Sequence, residues 1–378
     1  MLKVVVDKDI PFIRGVLEKH ATVVYLQGNA IAKSDLLDAD ALIVRTRTKC
    51  NEKLLSGTRV RFIASATIGF DHIDTEFCGR SGITWTNAAG CNSSSVQQYV
   101  AAALFHISNK LEFELATRTI GIVGVGNVGT KVADLCSALG MRVLLNDPPR
   151  ERREGKGAFV RLDELLRESD IITVHVPLST EGEDRTFHMI DERLLAMLGP
   201  KQVLMNTSRG EVADSSSLKS CLQKKGIAAC VLDVWENEPA IDLELLARVD
   251  LGTPHIAGYS ADGKATGTSM SVRALSRFFG LDLNEWFPAN IPLPAETTIE
   301  LDCATLRRQK IFCKAVCRTY DILADDQALR NAPASFEHQR SAYPLRREFP
   351  AYTVKLKNAE KNVEAALRQL GFNTTGSN

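Results

Sequence analysis

The feature that most restricts what this chain can fold into is Gly124-Val125-Gly126-Asn127-Val128-Gly129, directly after the apolar run Thr119-Ile120-Gly121-Ile122-Val123. Three glycines at that spacing, behind a strand and opening a helix, with a second strand within about 25 residues, predict a dinucleotide-binding βαβ unit. Gly124 permits the tight turn, Gly126 lets backbone approach a pyrophosphate, and Gly129 lets helix and strand pack closely. The helix N-terminus then favours the phosphates, and Asn127 and Val128 belong to the same cofactor loop. The next strand, Met141-Arg142-Val143-Leu144-Leu145-Asn146, ends at Asp147. A carboxylate there can accept both adenosine ribose hydroxyls and repels a 2′-phosphate, so NAD is expected over NADP. Arg150 and Arg152 lie close by and soften that preference.

Around this unit, short β-rich runs alternate with helical stretches over three-quarters of the chain. Lys3–Val6, Ala21–Tyr25, Ala41–Val44, Phe62–Ala64 and Thr84–Thr86 read as one series of strands. Thr119–Val125, Arg142–Asn146, Ile171–Val176, Val203–Asn206, Ala228–Val234 and Leu251–Thr253 read as a second. These runs are nearly all apolar rather than alternating, as strands covered on both faces should be. Three prolines between Pro288 and Pro294 mark a linker. Beyond it a strand at Thr297–Leu301, a helix through Ile311–Leu323 and an amphipathic helix at Val354–Leu370 are expected. The expected fold is α/β: two Rossmann-like doubly wound lobes, one split around the other, and a small α+β C-terminal domain. The boundaries read as 1–95 for the first part of a substrate-binding lobe and 96–256 for an inserted NAD-binding domain. A return to the first lobe follows over 257–286, and a C-terminal dimerisation domain over 287–378.

Three further segments place charged residues at strand ends, where ligands sit in doubly wound sheets. They are Asn206-Thr207-Ser208-Arg209-Gly210, Asp233-Val234-Trp235-Glu236-Asn237-Glu238-Pro239, and Thr253-Pro254-His255-Ile256-Ala257-Gly258-Tyr259. Their residue types suit hydride transfer between NAD and a secondary alcohol. His255 can take the hydroxyl proton near neutral pH. Glu238 can stabilise its imidazolium and fix its tautomer, and Arg209 can grip a substrate carboxylate and polarise the nascent carbonyl.

From about residue 35 to 285 these segments resemble the D-isomer-specific 2-hydroxyacid dehydrogenases. The resemblance implies that Arg209, Glu238 and His255 are catalytic and that the substrate lobe is split around the nucleotide domain. A narrower likeness, to a branch acting on a phosphorylated 2-hydroxy acid, rests on Arg45-Thr46-Arg47-Thr48, Ala66–Asp74, Ala89–Asn92 and His255–Thr268. It implies substrate contacts from Thr46, Thr67 and Tyr259, cofactor contacts from Asp147, Asp233 and Gly258, and dimerisation through the C-terminal extension. Gln98 and Val176 depart from that branch's pattern: Gln98 replaces a carboxylate, and Val176 stands where some members have Thr, so its cofactor contact lacks a hydroxyl. A second enzyme of the family, such as a 3-phosphoglycerate dehydrogenase, and an NAD-sensing corepressor-type protein are the other readings.

A phosphorylated substrate brings about −2 on its phosphate besides a carboxylate. Arg209 alone cannot balance this, so Arg45 and Arg47 at the end of Ala41–Val44 are expected in the site. Arg346 and Arg347 are further candidates. Lys plus Arg number 46 and Asp plus Glu number 46, a balance with no global field for nucleic acid or an anionic membrane. No apolar run approaches the ~20 residues that span a bilayer, and the N-terminus shows no signal-peptide core. Nine scattered cysteines without a C-x-x-C pair read as reduced thiols of a cytoplasmic protein, with no metal expected.

Overall fold

In the computed structural model, residues 1–155 and 157–377 are described. The chain divides into two compact units, Met1–Asn92 with Ser260–Pro292, and Ser93–Tyr259 with Leu293–Asn378.

The first unit is built on five parallel strands, β1 (Lys3–Asp7), β2 (Thr22–Leu26), β3 (Ala41–Val44), β4 (Phe62–Ser65) and β5 (Thr84–Asn87), in the order β2-β1-β3-β4-β5. Successive side chains point to opposite faces, so each strand feeds two cores. Val5, Leu42, Val44 and Ile63 pack on one side. Val4, Val6, Ala41, Ile43, Phe62 and Ala64 pack on the other, beneath Val272 and Leu275 of the Ala261–Phe279 helix. That helix starts where the Ser260 hydroxyl accepts from the Gly263 amide at 2.8 Å.

The second unit carries β6 (Thr119–Val123), β7 (Arg142–Asn146), β8 (Ile171–Val174), β9 (Val203–Asn206), β10 (Ala229–Leu232) and β11 (Leu251–Gly252). Their order is β11-β10-β9-β8-β6-β7, and all pairs are parallel. The chain leaves β6 toward β7 on one side and resumes at β8 on the other, so the strand order reverses between β6 and β8. Val123 pairs with both Asn146 and Val174, and Asn206 with both Val174 and Leu232. The loops after all these strands therefore emerge along one edge. Several strands stop short of the apolar runs that encode them: β6 ends at Val123 and β10 at Leu232. The residues beyond turn away to form the site.

The C-terminal segment adds β12 (Thr298–Asp302), β13 (Thr353–Lys357) and β14 (Asn373–Ser377), a parallel sheet in the order β12-β13-β14. Its Lys361–Leu370 helix buries Val363, Ala366, Leu367 and Leu370 in the same core as Val132 and Leu135 of the Asn127–Ala138 helix. This shared core places the segment within the nucleotide-binding unit. Two expectations change here. The single helix over Val354–Leu370 is instead β13 followed by the shorter helix. In β13, Val354 and Leu356 are buried while Lys355 and Lys357 are exposed, the period-2 pattern of a half-covered strand. The helix through Ile311–Leu323 ends at Thr319. Asp321 then caps a new helix, Ile322–Asn331, by accepting from the Leu323 and Ala324 amides at 3.1 and 3.2 Å. Gln98, buried on the Ser93–Lys110 helix, fastens this segment by donating to the Thr319 hydroxyl at 3.0 Å and the Arg347 carbonyl at 2.9 Å.

All nine cysteines are free thiols. Among the described residues no helix is long and apolar enough to cross a membrane.

Candidate active site

The glycine loop sits at the point where the strand order reverses, where doubly wound sheets bind dinucleotides. Gly124 lies at φ 86°, and a Cβ on it would stand 2.7 Å from the His175 carbonyl oxygen and 2.8 Å from Val176. A Cβ on Gly129 would overlap the Gly124 carbonyl. Both positions are closed by the protein itself. Gly126 is different: it caps the Asn127–Ala138 helix, and a Cβ there would meet no protein atom within 4 Å. Packing within the protein therefore does not require a glycine at Gly126. Open space at a helix N-terminus fits the close approach of a pyrophosphate, and Asn127 stands exposed beside it. The residues present fit a dinucleotide.

Asp147 caps the Pro148–Glu154 helix through the Arg150 amide at 2.9 Å, and its second oxygen accepts from the Val125 amide at 2.8 Å. It thus ties the end of β7 to the glycine loop. The neighbouring cations are already engaged. Arg150 binds Glu154 at 2.8 Å and the Val125 carbonyl, and Arg152 binds Asp184. The Arg150 and Arg153 guanidiniums pull the Glu154 carboxyl down to about 2. Beside β8, His175 bridges two hydroxyls, with Nε2 3.0 Å from Thr173 Oγ1 and Nδ1 3.1 Å from Thr207 Oγ1. Burial lowers it to about 3, so the ring is neutral.

The Arg209 turn is shaped by Asn206, which is wholly buried. Its amide donates to the Arg209 carbonyl at 2.9 Å, while its oxygen accepts from the Ser208 amide at 3.0 Å and hydroxyl at 2.7 Å. Arg209 itself is half-buried and donates to the Ser208 carbonyl at 2.8 Å. Gly210 follows because a Cβ would overlap the Trp235 carbonyl, so the Arg209 loop lies directly on the next one.

That next loop carries Glu238. One carboxylate oxygen accepts from the Trp235 amide at 2.9 Å, and the other lies 2.7 Å from Nδ1 of His255. With Nδ1 protonated toward Glu238, Nε2 is the basic nitrogen and has no hydrogen-bond partner among the described residues. His255 sits at φ 55°, a conformation a non-glycine residue holds only where its surroundings impose it. Its amide donates to the carbonyls of Asp233 at 2.7 Å and Thr253 at 3.0 Å. Asp233 is buried, and burial pushes its carboxyl up against the pull of His255 and its hydrogen-bond donors. Those donors are the Thr253 hydroxyl at 2.7 Å and the Ile256 and Ala257 amides at 2.8 and 2.9 Å. Thr253 also meets the Tyr99 hydroxyl at 2.7 Å, and its carbonyl accepts from the Trp235 indole at 2.9 Å. The Arg209, Glu238 and His255 loops are thereby one connected set.

His188, Asp214 and Glu236 bring potential metal-ligand atoms within 4.8 Å of one another. Each is already engaged. His188 bonds Glu236 at 2.6 Å, Glu236 also accepts from the Ser215 amide at 2.8 Å, and Asp214 caps the Ser215–Gln223 helix. The trio pins the loop before Glu238.

A hydrogen-bonded carboxylate–imidazole pair next to an arginine turn, at the carboxyl edge of such a sheet, brings together a group that can move a proton and one that can hold an anion. The family model described as the NAD-binding domain of the D-isomer-specific 2-hydroxyacid dehydrogenases matches residues 92–257, and a domain of unknown function matches residues 292–371. The erythronate-4-phosphate dehydrogenase of Bacteroides fragilis is 49% identical over 354 residues, covering 93% of this chain and 99% of that relative. The chain belongs to the erythronate-4-phosphate dehydrogenase family. A second member, from Cronobacter sakazakii, is 41% identical and covers 99% of both chains. The solved D-lactate dehydrogenase of Aquifex aeolicus, complexed with NAD and lactic acid, has a TM-score of 0.58 at 27% identity. It is covered over 99% of its length but spans only 76% of this chain. The erythronate-4-phosphate dehydrogenases span nearly all of it.

The remaining expected residues of this family fall in two places. In the first unit, Arg45, Thr46 and Arg47 follow β3 and Thr67 follows β4, and paired Val44 and Ser65 start these two loops side by side. Arg45 donates to the Asp9 carbonyl at 3.2 Å, and the Thr67 hydroxyl meets Ser65 at 2.8 Å. In the second unit, Gly258 and Tyr259 follow directly on the His255 turn. Tyr259 meets Tyr343 edge-on at 6.0 Å, and the Arg340 guanidinium lies 5.8 Å from its ring centre. Arg346 and Arg347, within the C-terminal segment, are both buried. Thr253, Asn206, His175 and Trp235 shape the site without having stood out in the sequence. The visible signal for Thr253 was a hydroxyl ending an otherwise apolar strand just before Pro254-His255.

Proposed function

We propose that this protein oxidises 4-phospho-D-erythronate to 2-oxo-3-hydroxy-4-phosphobutanoate with NAD, a cytoplasmic step toward pyridoxal 5′-phosphate. The observation that carries the chemistry is the 2.7 Å contact between Glu238 and Nδ1 of His255, on a loop against which the Arg209 turn packs; the substrate is the one named for the erythronate-4-phosphate dehydrogenases the chain resembles. NAD, when bound, supplies the acceptor for the hydride that leaves C2. The residues that would hold it are those of the Gly124–Gly129 loop together with Asp147, Val176, Asp233 and Gly258.

His255 takes the C2 hydroxyl proton on Nε2. Glu238 holds the imidazole in the tautomer that leaves Nε2 basic and offsets the positive charge once the proton arrives. Arg209 holds the substrate carboxylate and stabilises the oxygen that becomes a carbonyl. Thr46, Thr67 and Tyr259 complete the substrate contacts, and Arg45 and Arg47 balance the phosphate. The C-terminal domain forms a homodimer, to which exposed Leu323 and Leu345 contribute apolar surface.

The test is NADH formation by the purified chain on 4-phospho-D-erythronate, 3-phospho-D-glycerate and D-lactate in parallel, with 2-oxoglutarate added to regenerate cofactor that arrives bound. Turnover favouring 4-phospho-D-erythronate is expected. Preference for either of the other acids would overturn the substrate assignment while leaving the catalytic set in place.

A further inference from the structure

Arg346 is 5% exposed, yet it contacts the backbone that carries the catalytic histidine. Its Nη2 donates to the carbonyls of Ile256 at 3.0 Å and Ala257 at 2.6 Å, and to the Ser95 hydroxyl at 2.5 Å. Ser95 in turn donates to the same Ala257 carbonyl at 2.9 Å. The amides of those two residues, Ile256 and Ala257, go to Asp233. A buried anion therefore takes both N–H groups, and a buried cation takes both C=O groups, of the two residues after His255.

The setting of Arg346 is costly for a group with only a packing role. Its guanidinium lies 4.5 Å from the Tyr320 ring centre and 5.6 Å from that of Tyr343. Both tyrosine hydroxyls are spent on Asp325, at 2.8 and 2.6 Å. Arg346 Nε and Nη1 are buried with no partner among the described residues. An apolar side chain of similar size would fill this space without a buried charge or orphaned donors. What an apolar residue cannot do is hold two carbonyls.

We propose that Arg346 is a positioning residue of the active site: with Asp233 it clamps residues 256 and 257 and so fixes the left-handed turn that aims His255 at Glu238. The C-terminal segment thereby completes the active site of its own chain. This rests on the reading of His255 as the base.

The full-length protein tests it with Arg346→Met, Arg346→Lys and, as a control, Leu356→Ala, which removes a buried side chain of β13 but none of the groups that form the clamp's hydrogen bonds. Thermal melting, NADH binding, kcat and KM on 4-phospho-D-erythronate are measured for each, at a temperature where all are folded. Loss of the clamp should lower kcat by about 10²-fold in Arg346→Met, the scale of a misplacement near 1 Å. KM and NADH affinity should stay within about threefold, as expected when only a transition-state interaction is lost. Arg346→Lys, which keeps one cationic donor, should recover at least about tenfold of that loss. Leu356→Ala should lower the melting temperature yet keep kcat near wild type. Full kcat in Arg346→Met, or an equal loss in Leu356→Ala, would overturn the clamp. Should Arg346→Met not fold, the contrast between Arg346→Lys and Leu356→Ala decides the matter by the same criterion. A wild-type protein inactive on the substrate would count against the proposed function instead.

Discussion

The two glycines Gly126 and Gly129 should respond oppositely to the same added methyl group. At Gly126 the backbone lies at φ −76°, which alanine adopts freely, and the new Cβ meets no protein atom within 4 Å. Gly126→Ala should therefore change folding stability by less than about 0.5 kcal/mol, with a small gain possible from a less flexible unfolded chain. The methyl group would occupy the space through which a pyrophosphate approaches the backbone. Displacing one or two charge-assisted hydrogen bonds, each about 1.5–3 kcal/mol, should weaken NADH binding by roughly 10- to 10⁴-fold. At Gly129 the Cβ would overlap the Gly124 carbonyl and stand 3.0 Å from its carbon. The Asn127–Ala138 helix must shift, which costs about 1–3 kcal/mol, and Gly129→Ala should lower the melting temperature. Thermal melts and a fluorescence titration with NADH separate the effects. A Gly126→Ala protein that binds NADH as tightly as wild type would refute the placement of the cofactor.

Three further outcomes are expected. Asp147→Asn keeps an acceptor for the helix cap and removes the charge, so the kcat/KM ratio of NAD to NADP should fall by about tenfold or more; an unchanged ratio would remove Asp147 from the ribose site. His175 is lowered to about 3 in the fold from an ordinary value of 6.5, so its neutral form stabilises the protein above pH 6.5 and that contribution is lost progressively as pH falls toward 3. Allowing for its partial exposure, about 1 kcal/mol should be gone at pH 5, a few degrees in melting temperature. His175→Gln, which can still bond Thr173 and Thr207, should show a smaller drop between pH 7 and 5. Arg45→Ala combined with Arg47→Ala should raise KM for 4-phospho-D-erythronate by about 10²-fold while sparing a substrate without phosphate, and equal losses on both would show that these arginines do not read the phosphate.

Much of the fold was legible because doubly covered parallel strands are short apolar runs, and each of the eleven runs before the linker became a strand. Gly124, Gly126 and Gly129 were legible because their spacing encodes a turn, an approach and a packing contact at once. Arg209, Glu238 and His255 stood out as charges at strand ends. Less legible was whatever depends on distant partners. Asp233 was expected only at the cofactor, whereas its carboxylate also organises the amides after His255. Arg346 was considered for a phosphate, but it is separated by 251 positions from the Ser95 it meets, and no local pattern could announce that contact. In β13, the alternation Val354-Lys355-Leu356-Lys357 carried a strand signal that the amphipathic helix beginning at Lys361 masked.

The most direct test of the catalytic assignment is a single-turnover experiment in which NAD-loaded protein is mixed with 4-phospho-D-erythronate and NADH formation is followed, for wild type and His255→Asn. Removing the base should slow the step by roughly 10²–10⁴-fold while NAD stays bound at wild-type affinity. A His255→Asn protein that forms NADH at the wild-type rate would contradict the assignment of His255, and with it the role given to Glu238.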